Sequence, residues 1–246
     1  MNKIFSILTI VLLWGCNNSQ NKIIIAQNIG KDHAFSGVTR LELDKSNRYI
    51  LSYTPHDSTI SKPRLTLGEY RIDNDTIYLY QNGNTGFKKA ILKHGYVEIL
   101  DDSYKIKLIK NETSIVSKSE LRDNSDFTFF TYNKSFEYVF PQGLSTDLND
   151  SDIITVTETI QRKMNDERKR FSKLPRQEEY LKQCVAIVNS KNEKIVWINC
   201  IAKKVAKLSD WENEIRPVMD GGDAYFTLKI NLTTGEIYDF YVHGQA

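Results

Sequence analysis

Between Lys22 and Lys110 the chain consists of short runs in which β-branched or aromatic residues alternate with polar ones, each run closed by Asn, Asp or Gly. A period of two sends one side of every run into a core and the other towards water, so the pattern predicts strands. Eight are predicted: Ile23 to Ile29, Gly37 to Leu43, Tyr49 to Tyr53, Thr66 to Ile72, Thr76 to Tyr80, Phe87 to Leu92, Tyr96 to Leu100 and Tyr104 to Ile109. The links are short, and Asp73-Asn74-Asp75 and Lys93-His94-Gly95 supply residues that tolerate hairpin dihedrals. Consecutive hairpins make an antiparallel meander, and eight strands must close into a small barrel or fold into a sandwich to hide their edges. An all-β N-terminal domain over residues 22–110 is therefore expected. Bulky Ile, Leu and Tyr on the alternating positions predict an interior filled by side chains, with enclosure of a small apolar ligand as the alternative.

The alternation fades over residues 111–126, a stretch of Ser, Thr, Asn, Lys and Glu that reads as a linker. Beyond it, residues 127–246 predict an α+β C-terminal domain, one helix on a four-stranded antiparallel sheet. Asn149 to Asp152 can cap a helix, and Ile153, Val156, Ile160, Met164 and Phe171 follow on one helical stripe. After Pro175 come two hairpins, Tyr180 to Asn189 with Lys194 to Ala202, and Ala224 to Asn231 with Ile237 to Val242. The cations Arg162, Lys163, Arg168, Lys169, Arg170, Lys173 and Arg176 near the helix end read as a solvated face, or as a surface for anionic headgroups or an acidic partner. Seven aromatics fall between Phe127 and Phe140. Within them Phe136, Tyr138 and Phe140 alternate with Glu137 and Val139, so a strand would align three rings as a platform for a glycan, and burial between the two domains is the other reading.

Composition narrows the classes. With 40% hydrophobic and 26% charged residues the chain can bury a core, which disfavours disorder. A net charge of +2 lacks the basic footprint of a nucleic-acid binder, so no nucleic-acid partner is expected. The N-terminus changes the picture more. Met1, Asn2 and Lys3 start it, Ile4 to Trp14 is an apolar run of 11 residues, too short to span a bilayer, and Leu13-Trp14-Gly15-Cys16 follows.

That ending resembles the cleavage box of bacterial lipoproteins, although Trp14 stands where a small or slender residue is usual. The resemblance implies a signal peptide over residues 1–15, a lipidated Cys16 carrying diacylglycerol and an acyl chain such as palmitate, and a polar tether over residues 16–21. Several acyl chains would anchor the protein without a transmembrane helix. The Cys16-Asn17-Asn18 start and the wealth of Asn, Lys, Ile and Tyr resemble envelope lipoproteins of the Bacteroidota, which implies a bacterial envelope location, outer membrane facing the periplasm. Gly68-Glu69-Tyr70-Arg71-Ile72 with Asp75-Thr76-Ile77-Tyr78-Leu79 resembles lipocalin-like barrels. The helix-then-sheet order resembles cystatin-like domains. Lys194 to Cys200, Asp220-Gly221-Gly222, Tyr225 to Leu232 and Val242 to Ala246 resemble an uncharacterised domain of Bacteroidota secreted proteins, to which no activity attaches.

Candidate chemistry is sparse. Cys184 and Cys200 lie on facing strands of one hairpin and read either as a disulfide, permitted in an oxidising periplasm, or as two buried thiols. A register pairing Ser190 with Lys194 would place them directly opposite. Asp220 and Asp223 around Gly221 and Gly222, with His243, could bind a cation or do acid–base work, and the same residues also make an ordinary tight turn. His33, His56 and His94 sit in or beside predicted turns as solvated loop residues. The common nucleophile, zinc, dinucleotide and phosphate-loop signatures do not occur, so no metal or cofactor is expected. The expected function is a non-catalytic binding or scaffolding role, with an unknown periplasmic protein, glycan or lipid as partner. Carriage of a small apolar ligand in the β domain and a cryptic hydrolase using Asp220, Asp223 and His243 are the alternatives.

Overall fold

The computed structural model describes residues 21–30, 37–56, 62–102, 104–115, 124, 126–168, 175–206, 210–215, 218 and 221–244. Strands β1 (Lys22–Ile29), β2 (Gly37–Asp44), β3 (Arg48–Pro55), β4 (Arg64–Asp73), β5 (Thr76–Gln81), β6 (Phe87–Lys93), β7 (Tyr96–Ile99) and β8 (Tyr104–Asn111) occupy all eight predicted runs. They form a closed antiparallel barrel in chain order, with β8 returning to β1. The Lys93 to Tyr96 turn places His94 (φ 54°) and Gly95 (φ 88°) in the left-handed region that a two-residue hairpin loop requires. Where β3, β4 and β5 cross closest, a Cβ on Gly68 would lie 2.0 Å from the Tyr80 carbonyl oxygen, so the wall tolerates no side chain there.

Alternation decides the barrel interior. Ile24, Leu41, Leu43, Tyr49, Tyr70, Ile77, Leu79, Val97 and Ile106 point inward and pack together, and Ile115 from beyond β8 joins them. At one end the inward positions turn polar: Asn28, Thr39, Tyr53 and Tyr104 line an open mouth of about 340 Å³ with Asp210 and Glu214.

The second half departs from the expected four antiparallel strands. It is a six-stranded mixed sheet, made of β9 (Phe127–Thr131), β10 (Leu144–Ser145), β11 (Tyr180–Val188), β12 (Lys194–Ala202), β13 (Tyr225–Asn231) and β14 (Ile237–Val242). The aromatic run after the linker accounts for the difference, because Phe127 to Thr131 forms a fully buried strand that pairs in parallel with β11. Short β10 covers the other end of the same edge, pairing Leu144 with Val188. Between them and β11 runs α1 (Asp150–Glu167), started by Asn149 and Asp152, whose side chains reciprocally accept each other's backbone N–H. Its stripe Val156, Ile160 and Met164 is fully buried on one sheet face against Cys184, Val196, Ile198, Phe226 and Leu228. A single turn, α2 (Lys203–Ala206), follows β12.

The predicted strand through Phe136, Tyr138 and Phe140 does not form. Lys134–Phe136 is a 3-10 turn capped by Asn133, so the three rings do not share a face. Phe136 and Phe140 pack with Phe130, Val185, Ile187 and Trp197 on the sheet face away from α1, while Tyr138 is 63% exposed. Neither reading of the trio as drawn holds: two of its rings belong to the second half's own core, and the third stands on the surface.

What joins barrel to sheet is polar. Glu98 and Lys105, ladder partners on the outer wall of β7 and β8, are each only 1% exposed because β9 covers them. Lys105 Nζ donates to Thr128 Oγ1 (2.5 Å) and to the Phe129 carbonyl (3.1 Å), and lies over the rings of Tyr96 and Phe130. Lys93 Nζ donates to Thr131 Oγ1 (3.1 Å) and pairs with Asp147. The segment from Asp210 to Ile215 is clasped from both sides: Lys105 N donates to the Asn213 carbonyl (2.9 Å), and Gln183 Nε2 donates to the carbonyls of Trp211 (2.6 Å) and Glu214 (2.8 Å). His94, expected as a solvated loop residue, is buried against Phe129 at 5.3 Å, whereas His56 is exposed.

Candidate functional site

The sheet has two unlike faces. Towards α1 the strands present an apolar surface broken by buried Lys182, the ladder partner of Cys200, whereas on the far face the alternation admits Gln183, Asn199, Thr227 and Lys229. Gln183 and Asn199 are opposite each other in the ladder, and Asn199 Nδ2 donates to Gln183 Oε1 (2.7 Å). Beside this pair opens a hollow of about 250 Å³, lined by Tyr138, Val139, Trp197, Asn199, Ile215, Val218, Thr227, Lys229, Asp239 and His243.

Local irregularity shapes it. Between Thr227 and Lys229 the ladder to β14 shifts register, and Asp239 takes up φ 56°, the signature of a bulge that re-aims side chains. The result is an ion pair across the rim, Lys229 Nζ to Asp239 Oδ2 at 2.7 Å. Tyr138 meets Trp197 edge to face, with centroids 6.4 Å apart at 81°. His243, just past β14, stands edge-on to Tyr225 (6.4 Å) and Tyr241 (5.2 Å).

His243 is the chemically unsettled group. Both ring nitrogens are closed off from solvent, and neither makes a hydrogen bond of normal geometry to the described residues. Burial pulls its pKa below the usual 6.5, so the imidazolium is disfavoured, although the nearby Val218 backbone works the other way. A neutral imidazole carries one N–H donor and one acceptor lone pair, and each left unmade in a buried place costs about 1–3 kcal/mol. Because His243 lines the hollow, its ring reports on any occupant there.

The residues singled out from sequence fare unevenly. Cys16 and Asp220 lie outside the described residues, as do His33 and the cations Lys169, Arg170 and Lys173. Lys163 is paired with Glu167 at 2.6 Å and lies over the Phe240 ring. Asp223 sits in the middle of the 3-10 turn Gly222–Ala224, and its backbone carbonyl accepts the Tyr180 hydroxyl. It is not among the residues lining the hollow, and the carboxylate that shares the hollow with His243 is Asp239.

The disulfide alternative is corrected. Asn189 Oδ1 accepts the N–H groups of Lys191 and Glu193 (both 2.9 Å), which widens the hairpin loop and pairs Val188 with Lys194. Cys184 therefore faces Ile198, Cys200 faces Lys182, and both cysteines are buried thiols on the α1 side. Burial pushes the Cys200 thiol well above its ordinary range, which leaves it inert as a nucleophile.

Trp197, Asn199, Lys229 and Asp239 were not singled out from sequence as site residues. One signal was available: Asn199 is the lone polar residue between Ile195 and Ala202, and a polar side chain inside such a run marks a face that is not simply core. Among the described residues no cluster of three His, Cys, Asp or Glu is placed to hold a metal ion, and no helix is long and apolar enough to cross a membrane. No known protein family, curated protein or solved structure matches the chain.

Proposed function

We propose that this is a lipid-anchored envelope protein, held through Cys16 at the outer membrane facing the periplasm, with a non-catalytic binding role exercised at the Trp197–His243 hollow. The anchor rests on the sequence, on the short apolar run and the Leu13-Trp14-Gly15-Cys16 box. The binding role rests on one observation: a hollow of about 250 Å³ combines the rings of Tyr138 and Trp197 with the neutral hydrogen-bonding groups of Asn199 and Thr227, and His243 lines it. Asp223, one of the two carboxylates the hydrolase reading requires, does not line the hollow, and Asp239, which does, is held by Lys229 at 2.7 Å. Expression of wild type and Cys16→Ser in a bacterial host tests the anchor. The wild type should fractionate with membranes and carry an acyl-glyceryl mass increment on its N-terminal peptide, and Cys16→Ser should carry none; an unmodified wild type excludes the anchor.

A second reading, carriage of a small apolar molecule by the barrel, has the mouth cavity of about 340 Å³ in its favour. Against it stand the side chains that fill the barrel centre and leave no room for a ligand beyond the mouth.

A further inference from the structure

The lining of the hollow specifies a ligand class. We propose that the hollow between Tyr138, Trp197, Asn199, Thr227 and His243 binds one neutral sugar ring, a pyranose. This rests on the reading of the hollow as a binding site.

Charge argues first. Lys229 and Asp239 neutralise each other at 2.7 Å across the rim, and among the described residues no other ionised side chain lines the space, which favours an uncharged ligand. The polar groups that remain are an amide, a hydroxyl and a neutral imidazole, each able to donate and to accept. A hydroxyl has the same dual character, so a polyol can satisfy the Thr227 hydroxyl and what the bond to Gln183 leaves of the Asn199 amide, whereas an alkyl chain offers neither a partner.

The aromatic walls argue next. Tyr138 and Trp197 make a right-angled corner, and the C–H-bearing face of a pyranose packs against such rings while its rim of hydroxyls points elsewhere. Of the aromatics between Phe127 and Phe140, Tyr138 carries the most exposed ring, and it is the one that reaches this corner. Size sets the limit: about 250 Å³ falls below the roughly 300–1,000 Å³ of drug-sized sites, which suits a single ring.

The test titrates the full chain with glucose, galactose and N-acetylglucosamine, with glucuronate and glucosamine as charged counterparts and hexanol as the apolar one. Saturation-transfer NMR and the His243 imidazole shifts are the readouts. A neutral sugar should bind and shift His243, and Tyr138→Ala and His243→Ala, each with an unchanged far-UV spectrum, should weaken it at least about tenfold. A neutral sugar that binds equally to both variants overturns the assignment. Binding of a charged or apolar probe alone, with His243 shifting, overturns the sugar while keeping the hollow as a binding site. No shift of His243 with any probe overturns both the sugar and the binding role.

Discussion

The Glu98 carboxylate, on the outside of the barrel, accepts both the backbone N–H (2.6 Å) and the hydroxyl (2.8 Å) of Thr131, the last residue of β9. A buried carboxylate thus closes the otherwise open edge of a strand in the other half of the molecule, which is how the two halves become one body. Burial raises the Glu98 pKa, while Thr131, Lys105 and Lys93 hold it down.

Removing that carboxylate takes the negative charge away from the buried ammonium of Lys105 and leaves the Thr131 N–H without its acceptor. Glu98→Ala should therefore cost about 3–5 kcal/mol, as for breaking a buried charge pair from one side. The described tryptophans, Trp197 and Trp211, both lie in the second half, so fluorescence reports on the sheet while far-UV dichroism reports on both halves. In urea the wild type should give coincident transitions by the two probes, and Glu98→Ala should separate them. Coincident curves at unchanged midpoint in the variant would show that the contact does not couple the halves.

Phe136 and Tyr138 are two residues apart but oppositely placed, one fully buried and one exposed. Phe136→Ala should cost about 3–5 kcal/mol through the cavity it leaves against Trp197 and Val185. Tyr138→Ala should stay within about 0.5 kcal/mol of wild type. Equal losses in chemical denaturation would contradict this packing.

Two buried thiols that sit on a diagonal of the ladder should stay unreactive. At pH 8 the native protein should not consume Ellman's reagent at Cys184 or Cys200 within minutes, and both should react on addition of guanidinium. A disulfide would be revealed by two thiols appearing only after reduction.

His243 should titrate below the usual 6.5. A folded-state pKa under the unfolded one means that the fold disfavours the imidazolium. The contribution is therefore intact above about pH 6.5 and is lost as pH falls through the unfolded value. Imidazole shifts of His243 followed from pH 8 to 5 check the direction, and His243→Gln should flatten the acid-side fall in stability.

The barrel was legible because every hairpin repeats the same two-residue period and carries its own turn residues, as at Asn74 and His94-Gly95. The α1 stripe was legible for the same reason at a helical period. Phe127 to Thr131 was not, since five residues buried on both faces show no alternation, and a parallel strand leaves no hairpin signal. The cysteine register failed through one side chain, Asn189, whose two local hydrogen bonds lengthen a loop that spacing alone reads as tighter. Glu98 and Lys105 look like ordinary outward positions of barrel strands, and only the arrival of β9 buries them. The hollow is likewise assembled from a bulge and from residues far apart in the chain, such as Tyr138 and His243, that no local pattern connects.

The order of barrel pairings also sets an order in time. Every barrel pairing except β1 with β8 joins strands adjacent in the chain, so each forms at the small loop-closure cost of a hairpin, and closure needs nothing beyond residue 115. The sheet is different, because β11 cannot settle until β9 has waited through the whole of α1 for it. A chain growing from its N-terminus can therefore finish the barrel while the rest is still being made. Glu98 and Lys105 then stand side by side on a completed wall, a docking template that selects which edge of the later sheet lands there.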